Sequence, residues 1–216
     1  VSVMWKVSGK KDVFLRLSAK RMVRLPSMTE QYYFHIGQQT LRPETTYQLN
    51  LGATLAGGAR RWTWLGTADI YINKVSDKIV CIPYNMFVWR YMNLENVVAW
   101  GADATLNISY QLAVRHGLSL IANYSLQRVQ NKTDVADYDG LQVAYIPIHS
   151  GTATTAWTNP WANLSATVVF SSDTWATNEH HAATRIGGYA DVSLAASHTF
   201  PLPKGALEAT ATMHNL

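Results

Sequence analysis

The 216-residue chain is 15% charged and 48% hydrophobic, with a formal net charge of +4 and a mean hydropathy of −0.07. No apolar run approaches the roughly eighteen residues that a membrane helix needs, which excludes helical spans, and the scattered basic residues give no nucleic-acid footprint. Charge this sparse, against about 25% in ordinary soluble domains, fits a transmembrane antiparallel β-barrel. Its lipid-facing and lumen-facing residues take turns along each strand and average to middling hydropathy.

Alternation is the main signal along the chain, and it predicts strands at 1–7, 12–24, 45–56, 61–76, 97–113, 117–128, 142–157, 161–172, 186–200 and 205–214. In the third window Tyr47, Leu49, Leu51, Ala53 and Leu55 alternate with Thr46, Gln48, Asn50, Gly52 and Thr54. The next sets Trp62, Trp64, Ala68, Ile70 and Ile72 against Thr63, Thr67, Asp69, Tyr71 and Asn73. The fifth sets Trp100, Ala102, Ala104, Leu106, Ile108, Tyr110 and Leu112 against Gly101, Asp103, Thr105, Asn107, Ser109 and Gln111. A helix would need period 3.6. The expected outer face carries Tyr47, Leu49, Leu51, Ile70, Ile72, Leu106 and Ile108.

The connections alternate in length. Tight turns are expected at Ala56 to Arg60, Val114 to Gly117, Thr158 to Trp161 and Pro201 to Gly205; long links run over Leu25 to Glu44, Asp77 to Asn96, Arg128 to Gln142 and Ser172 to Arg185. Short turns at one end and long loops at the other describe an outer-membrane barrel with periplasmic and extracellular rims. A soluble sandwich has no reason to keep that asymmetry. From Leu141 through Ser172 there is no Asp, Glu, Lys or Arg, as a lipid face would demand. Trp62, Trp64, Tyr110, Trp157, Trp161 and Tyr189 near strand ends suit an interfacial girdle.

Catalytic patterns are absent: there is no glycine-flanked nucleophilic serine, phosphate-cradling loop or paired Cys/His set. Cys81 reads as a small filler or a lone surface thiol. Tyr84, Phe87, Trp89, Arg90 and Tyr91 form the leading ligand-binding candidate, since pockets favour aromatic walls with a few polar anchors. Glu179-His180-His181 offers a metal or metal-chelate site, although adjacent residues of an extended segment point opposite ways. Asp134, Asp137 and Asp139 place three hard carboxylates in one loop, suited to Ca²⁺ or simply to solvent. No other cofactor is expected. Asp69 and Asp103 belong on the lumen face, as partners of a cation or simply as hydrated charges.

Several segments resemble the barrel of TonB-dependent receptors in that family's order: Arg24-Leu25-Pro26, Leu41-Arg42-Pro43-Glu44-Thr45, Asp77-Lys78-Ile79-Val80, then Asn93-Leu94 with Gly101-Ala102-Asp103, Gln142 through His149, and Gly188-Tyr189. The wording of Ile82-Pro83-Tyr84-Asn85 and Tyr145-Ile146-Pro147 is similar to receptors of the Bacteroidales group for cobalamin or siderophores. The resemblance implies about ten strands of a larger, 22-stranded barrel, with residues 1–216 being its later part and the plug domain and last hairpin lying outside the sequence. It implies import of a scarce nutrient (cobalamin, a siderophore or a similar metal chelate) across the outer membrane of a Gram-negative bacterium. The implied partners are outer-membrane lipid, the small ligand, the energy-transducing TonB complex acting through the plug, and a surface lipoprotein lid. The competing readings are a passive porin and a secreted sugar-binding β-sandwich.

Overall fold

A computed structural model describes residues 1–7, 12–83, 88–132 and 139–216. The strands are β1 (Ser2–Lys6), β2 (Asp12–Arg24), β3 (Glu44–Ala59), β4 (Trp62–Pro83), β5 (Trp89–Ala113), β6 (His116–Lys132), β7 (His149–Thr158) and β8 (Asn163–Ser171). They continue with the short pair β9 (Thr174–Trp175) and β10 (Arg185–Ile186), then β11 (Tyr189–Leu202) and β12 (Gly205–Met213). A one-turn helix, α1 (Met28–Tyr32), sits between β2 and β3, and a 3-10 turn covers Ala182–Thr184. Ten strands form one sheet in the order β1-β2-β3-β4-β5-β6-β7-β8-β11-β12, while β9 and β10 pair apart from it. Every neighbour is antiparallel, and β1 and β12 remain as two open edges, so the sheet is a partial, unclosed wall.

Register fixes the two faces. Directly opposed residues share a face, and Leu51 opposes Ile70, which opposes Ala102; Leu49 opposes Ile72, which opposes Trp100. Tyr47, Leu49, Leu51, Ile70, Ile72, Leu106 and Ile108 therefore all stand on one face, as alternation predicts. The first six are also exposed. At the short-turn end Trp62, Tyr110, Leu118, Trp157 and Leu164 are successive partners across five strands, which makes the lower girdle one row of the ladder. From Trp62 to Ile72 the apolar stretch spans about 23 Å once a strand tilt of about 45° is allowed for, matching the apolar band of an outer-membrane barrel.

The opposite face is wet. Arg16 donates to Asp69 at 2.5 Å across two strand spacings, Thr67 meets Thr105 at 2.6 Å, and Ser125 donates to Asp103 at 2.6 Å. Gly52 lies between Arg16 and Asp69 in the ladder, and a Cβ there would come within 2.2 Å of the Asp69 carboxylate. Only glycine leaves room for that bridge. Asp69 thus has a cation partner within the wall.

Several boundaries differ from the sequence reading. β4 and β5 run on well past 76 and 97, so the expected long loop from Asp77 to Asn96 is mostly a two-stranded extension paired from Lys78 with Leu94 to Pro83 with Trp89. The expected strand from Gln142 begins only at His149. There the backbone makes one isolated bridge, Gln142 with Gln130, the Gln142 side chain accepts from Val129 N at 3.0 Å, and Tyr145 has a φ of 61°. The turn between β3 and β4 is Arg60-Arg61 rather than Ala56 to Arg60, because both Gly57 and Gly58 stay in the ladder. Tyr189 opposes Ser171, which opposes Ser150, so it lies on the wet face at the other rim and is not part of the lower girdle.

Candidate functional site

All long connections leave from one rim, and they are fastened there by two latches of different chemistry. The first is ionic. Ser27 caps α1 in a reciprocal capping box: Glu30 N donates to Ser27 Oγ at 3.2 Å and Ser27 N donates to Glu30 Oε2 at 2.7 Å. Glu30 is buried and also takes a hydrogen bond from Arg24, whose other arm donates to buried Glu44 at 3.0 Å. Glu44 accepts the Ile79 N–H at 2.6 Å as well. Burial opposes ionisation of Glu30, but the Ser27 N–H and the Arg24 guanidinium outweigh it and hold the carboxyl below the usual carboxylate range. The hydrogen bond to Glu30 is the main reason the Arg24 guanidinium is held above its ordinary value.

The same loop is pinned a second time to the β4–β5 extension. Arg42 pairs with Asp77 at 2.6 Å, and the Asn93 amide bridges the Arg42 backbone and the Asp77 carbonyl. Tyr91 N donates to Ile36 O at 3.0 Å. The arginine-leucine-proline step, the leucine-arginine-proline entry and the lone asparagine, separate segments in the sequence, are therefore parts of one fastening.

The second latch is built from amide, carbonyl and ring contacts. Gln142 is buried and donates to Gln127 O and Ile146 O, while Val143 joins Val75, Val97, Ala99 and Val129 in the buried apolar cluster under the rim. The 172–188 connection lies over this. Asn178 Oδ1 accepts from Ala144 N at 2.8 Å, Tyr145 N donates to Trp175 O at 2.8 Å, and the His180 ring donates through Nε2 to Gln142 O at 2.7 Å while stacking on Trp175 at 4.7 Å.

Against this geometry the candidate residues separate. Trp89, Arg90 and Tyr91 are not in a loop but in β5, opposite Pro83, Ile82 and Cys81. Neighbours in a strand point to opposite faces, so Trp89 and Tyr91 share one side and Arg90 takes the other. Tyr84 and Phe87 lie outside the described residues, as do Asp134 and Asp137. Asp139 forms an ion pair with Lys132 at 3.6 Å. His180 and His181 do not converge: the first is turned inward to Gln142, the second to Glu179 at 3.2 Å. Among the described residues no group of three or more His, Cys, Asp or Glu could hold a metal ion. Cys81 is an exposed free thiol. The sequence reading missed Glu30, Gln142, Asn178 and Trp175. The S-x-x-E spacing of Ser27 and Glu30 was the available signal for the first.

The amino-acid sequence matches the family described as TonB dependent receptor-like, beta-barrel, over residues 1–216. The chain belongs to the TonB-dependent receptor family. It is a barrel segment of a protein of the Gram-negative outer membrane, which makes the short-turn rim periplasmic and the latched rim extracellular. No curated protein matches it in sequence. Among solved structures it is similar to the copper transporter OprC, at 14% identity and a TM-score of 0.73, covering 99% of this chain and 32% of that one. A mutant of the ferric enterobactin receptor PfeA from Pseudomonas aeruginosa gives 17% and 0.67, covering 100% and 34%. The ferric yersiniabactin uptake receptor FyuA from Yersinia pestis gives 14% and 0.60, covering 99% and 35%. At such identity the likeness concerns the fold. The chain spans about a third of each of those proteins.

Proposed function

We infer that this barrel wall serves an energised importer of a scarce nutrient, with a metal chelate such as a siderophore as the favoured cargo. The observation that carries the reading is the family match over the whole chain, joined to an extracellular rim whose long connections are held in place rather than left loose. Siderophore and copper proteins among the structural neighbours favour a chelate; cobalamin has no such support. In this reading a plug domain closes the lumen, the TonB complex pulls on it, and the wet face carrying Asp103 and the Arg16–Asp69 pair lines the path.

Trp89 and Tyr91 are the proposed ligand wall, since they share one side of the β4–β5 extension above the membrane belt. Aromatic contacts of this kind contribute about 0.5–1.5 kcal/mol each beyond area burial. In the full-length receptor, Trp89→Ala with Tyr91→Ala is expected to weaken binding of a ferric siderophore about tenfold with the barrel still heat-modifiable on gels. Uptake should also collapse when the TonB complex is deleted. Uptake that survives that deletion would make the barrel a passive porin, and a fully assembled double variant with unchanged affinity would move the ligand contacts elsewhere.

A further inference from the structure

A groove on the lipid-facing side of β2, β3 and β4 is lined by Ala19, Arg21, Tyr47, Leu49, Ile72 and Lys74. Register stacks these in two rows. Arg21, Tyr47 and Lys74 are direct partners across three strands, and Ala19, Leu49 and Ile72 form the next row toward the periplasmic rim. With strands about 4.8 Å apart, the two cations flank the tyrosine at about 10 Å between Cα atoms. The Arg21 guanidinium lies over the Tyr47 ring, 5.5 Å from its centroid, which pre-sets its direction.

Among the strand residues the charge on this face is one-sided. Arg21, Lys74 and Arg128 head it on β2, β4 and β6, whereas Asp12, Glu44, Asp69 and Asp103 all fall on the opposite face by register. Among the described residues neither Arg21 nor Lys74 takes part in an ion pair. Cations on a lipid face are tolerated only near the interface, where their cost falls to about 0–1 kcal/mol. Here they stand directly above a greasy floor, at the extracellular end of the belt. An anion carried on acyl chains is the complementary partner.

We propose that this groove holds a phosphorylated, multiply acylated glycolipid of the outer leaflet, with a phosphate between Arg21 and Lys74, the sugar against Tyr47 and an acyl chain along Ala19, Leu49 and Ile72. The assignment rests on the outer-membrane placement of the chain and not on what the receptor imports. The full-length receptor in mild detergent would be offered diphosphorylated lipid A, the same lipid stripped of its phosphates, and phosphatidylglycerol, with retained lipid read by native mass spectrometry. Diphosphorylated lipid A should be retained best. The R21A/K74A variant should retain it at least about tenfold less, with siderophore binding unchanged, and R21K/K74R should hold most of it. Single variants R21Q and K74Q, each expected to lose about threefold, serve if the double variant fails to assemble. Equal retention of the stripped lipid, equal retention of phosphatidylglycerol, or undiminished retention by a folded R21A/K74A barrel would overturn the proposal.

Discussion

The two latches at the extracellular rim solve one problem with opposite means. The 25–43 connection is held by charge: Arg24 between Glu30 and Glu44, and Arg42 on Asp77. The 139–148 and 172–188 connections hold each other through amides, carbonyls and an imidazole on an apolar cushion. The ionic latch sits where the loop meets the long β4–β5 extension, and the second sits where Val143 covers the cluster of Val75, Val97, Ala99 and Val129. Apolar surroundings exclude unpaired charge, so each latch takes the chemistry its floor allows. Both lie above the membrane belt, where water and lipid impose different rules.

The belt itself sets the largest expected effect. Leu51→Arg puts a cation on the lipid face and is expected to cost about 2–4 kcal/mol, whereas Asn50→Arg on the wet face should cost under about 1 kcal/mol. Unfolding of the receptor refolded in bilayers would compare them, and equal costs would mean the faces have been assigned wrongly.

Next comes Glu44→Ala, which strips a charged acceptor from both Arg24 and the Ile79 N–H and is expected to cost about 2–3 kcal/mol locally. Faster exchange of the Ile79 amide and proteolysis within 25–43 would report it, with the 172–188 connection unaffected. The second latch answers more weakly. Gln142→Ala leaves the Val129 N–H without its acceptor at a cost of about 1–2 kcal/mol, and cleavage should then appear in 172–188 with 25–43 protected. Cross-effects between the two would show that they act as one unit.

Acid sharpens the contrast further. The folded Glu30 carboxyl lies below the ordinary range, so its contribution is fully present above the unfolded value of about 4.3 and is lost as the pH falls below that through the folded value. Proteolysis of 25–43 should therefore rise only below about pH 4, and Glu30→Gln should abolish that rise. The smallest effect is expected from Arg185→Ala: its pair with Asp173 is exposed, and the change in stability should stay within about 1 kcal/mol.

Much of the wall was legible in the sequence because period-2 alternation is a direct imprint of a sheet with unlike faces. The window from Tyr47 to Leu55 fixed β3 and its lipid side, and the charge-free stretch from Leu141 to Ser172 marked β7 and β8. The extension beyond Ser76 was not legible, since Asp77 at a φ of 56° interrupts the pattern while its neighbours keep pairing. Nor was the delayed start of β7: Gln142 to Ile148 reads as a strand, yet its backbone makes a single bridge, Gln142 with Gln130, and the Gln142 side chain takes up the Val129 N–H. The ligand candidates suffered the same way, with Trp89, Arg90 and Tyr91 read as one loop cluster and then divided between two faces by a strand.

By itself the sequence determined the strand faces, the length asymmetry of the connections and the membrane class, because each follows from spacing along the chain and from what lipid forbids. Tertiary structure alone decided which loops fasten to which. Contacts such as Arg42 with Asn93, or His180 with Gln142, join residues dozens of positions apart. Such pairs leave no periodic trace, since a single hydrogen bond constrains two residues and nothing in between.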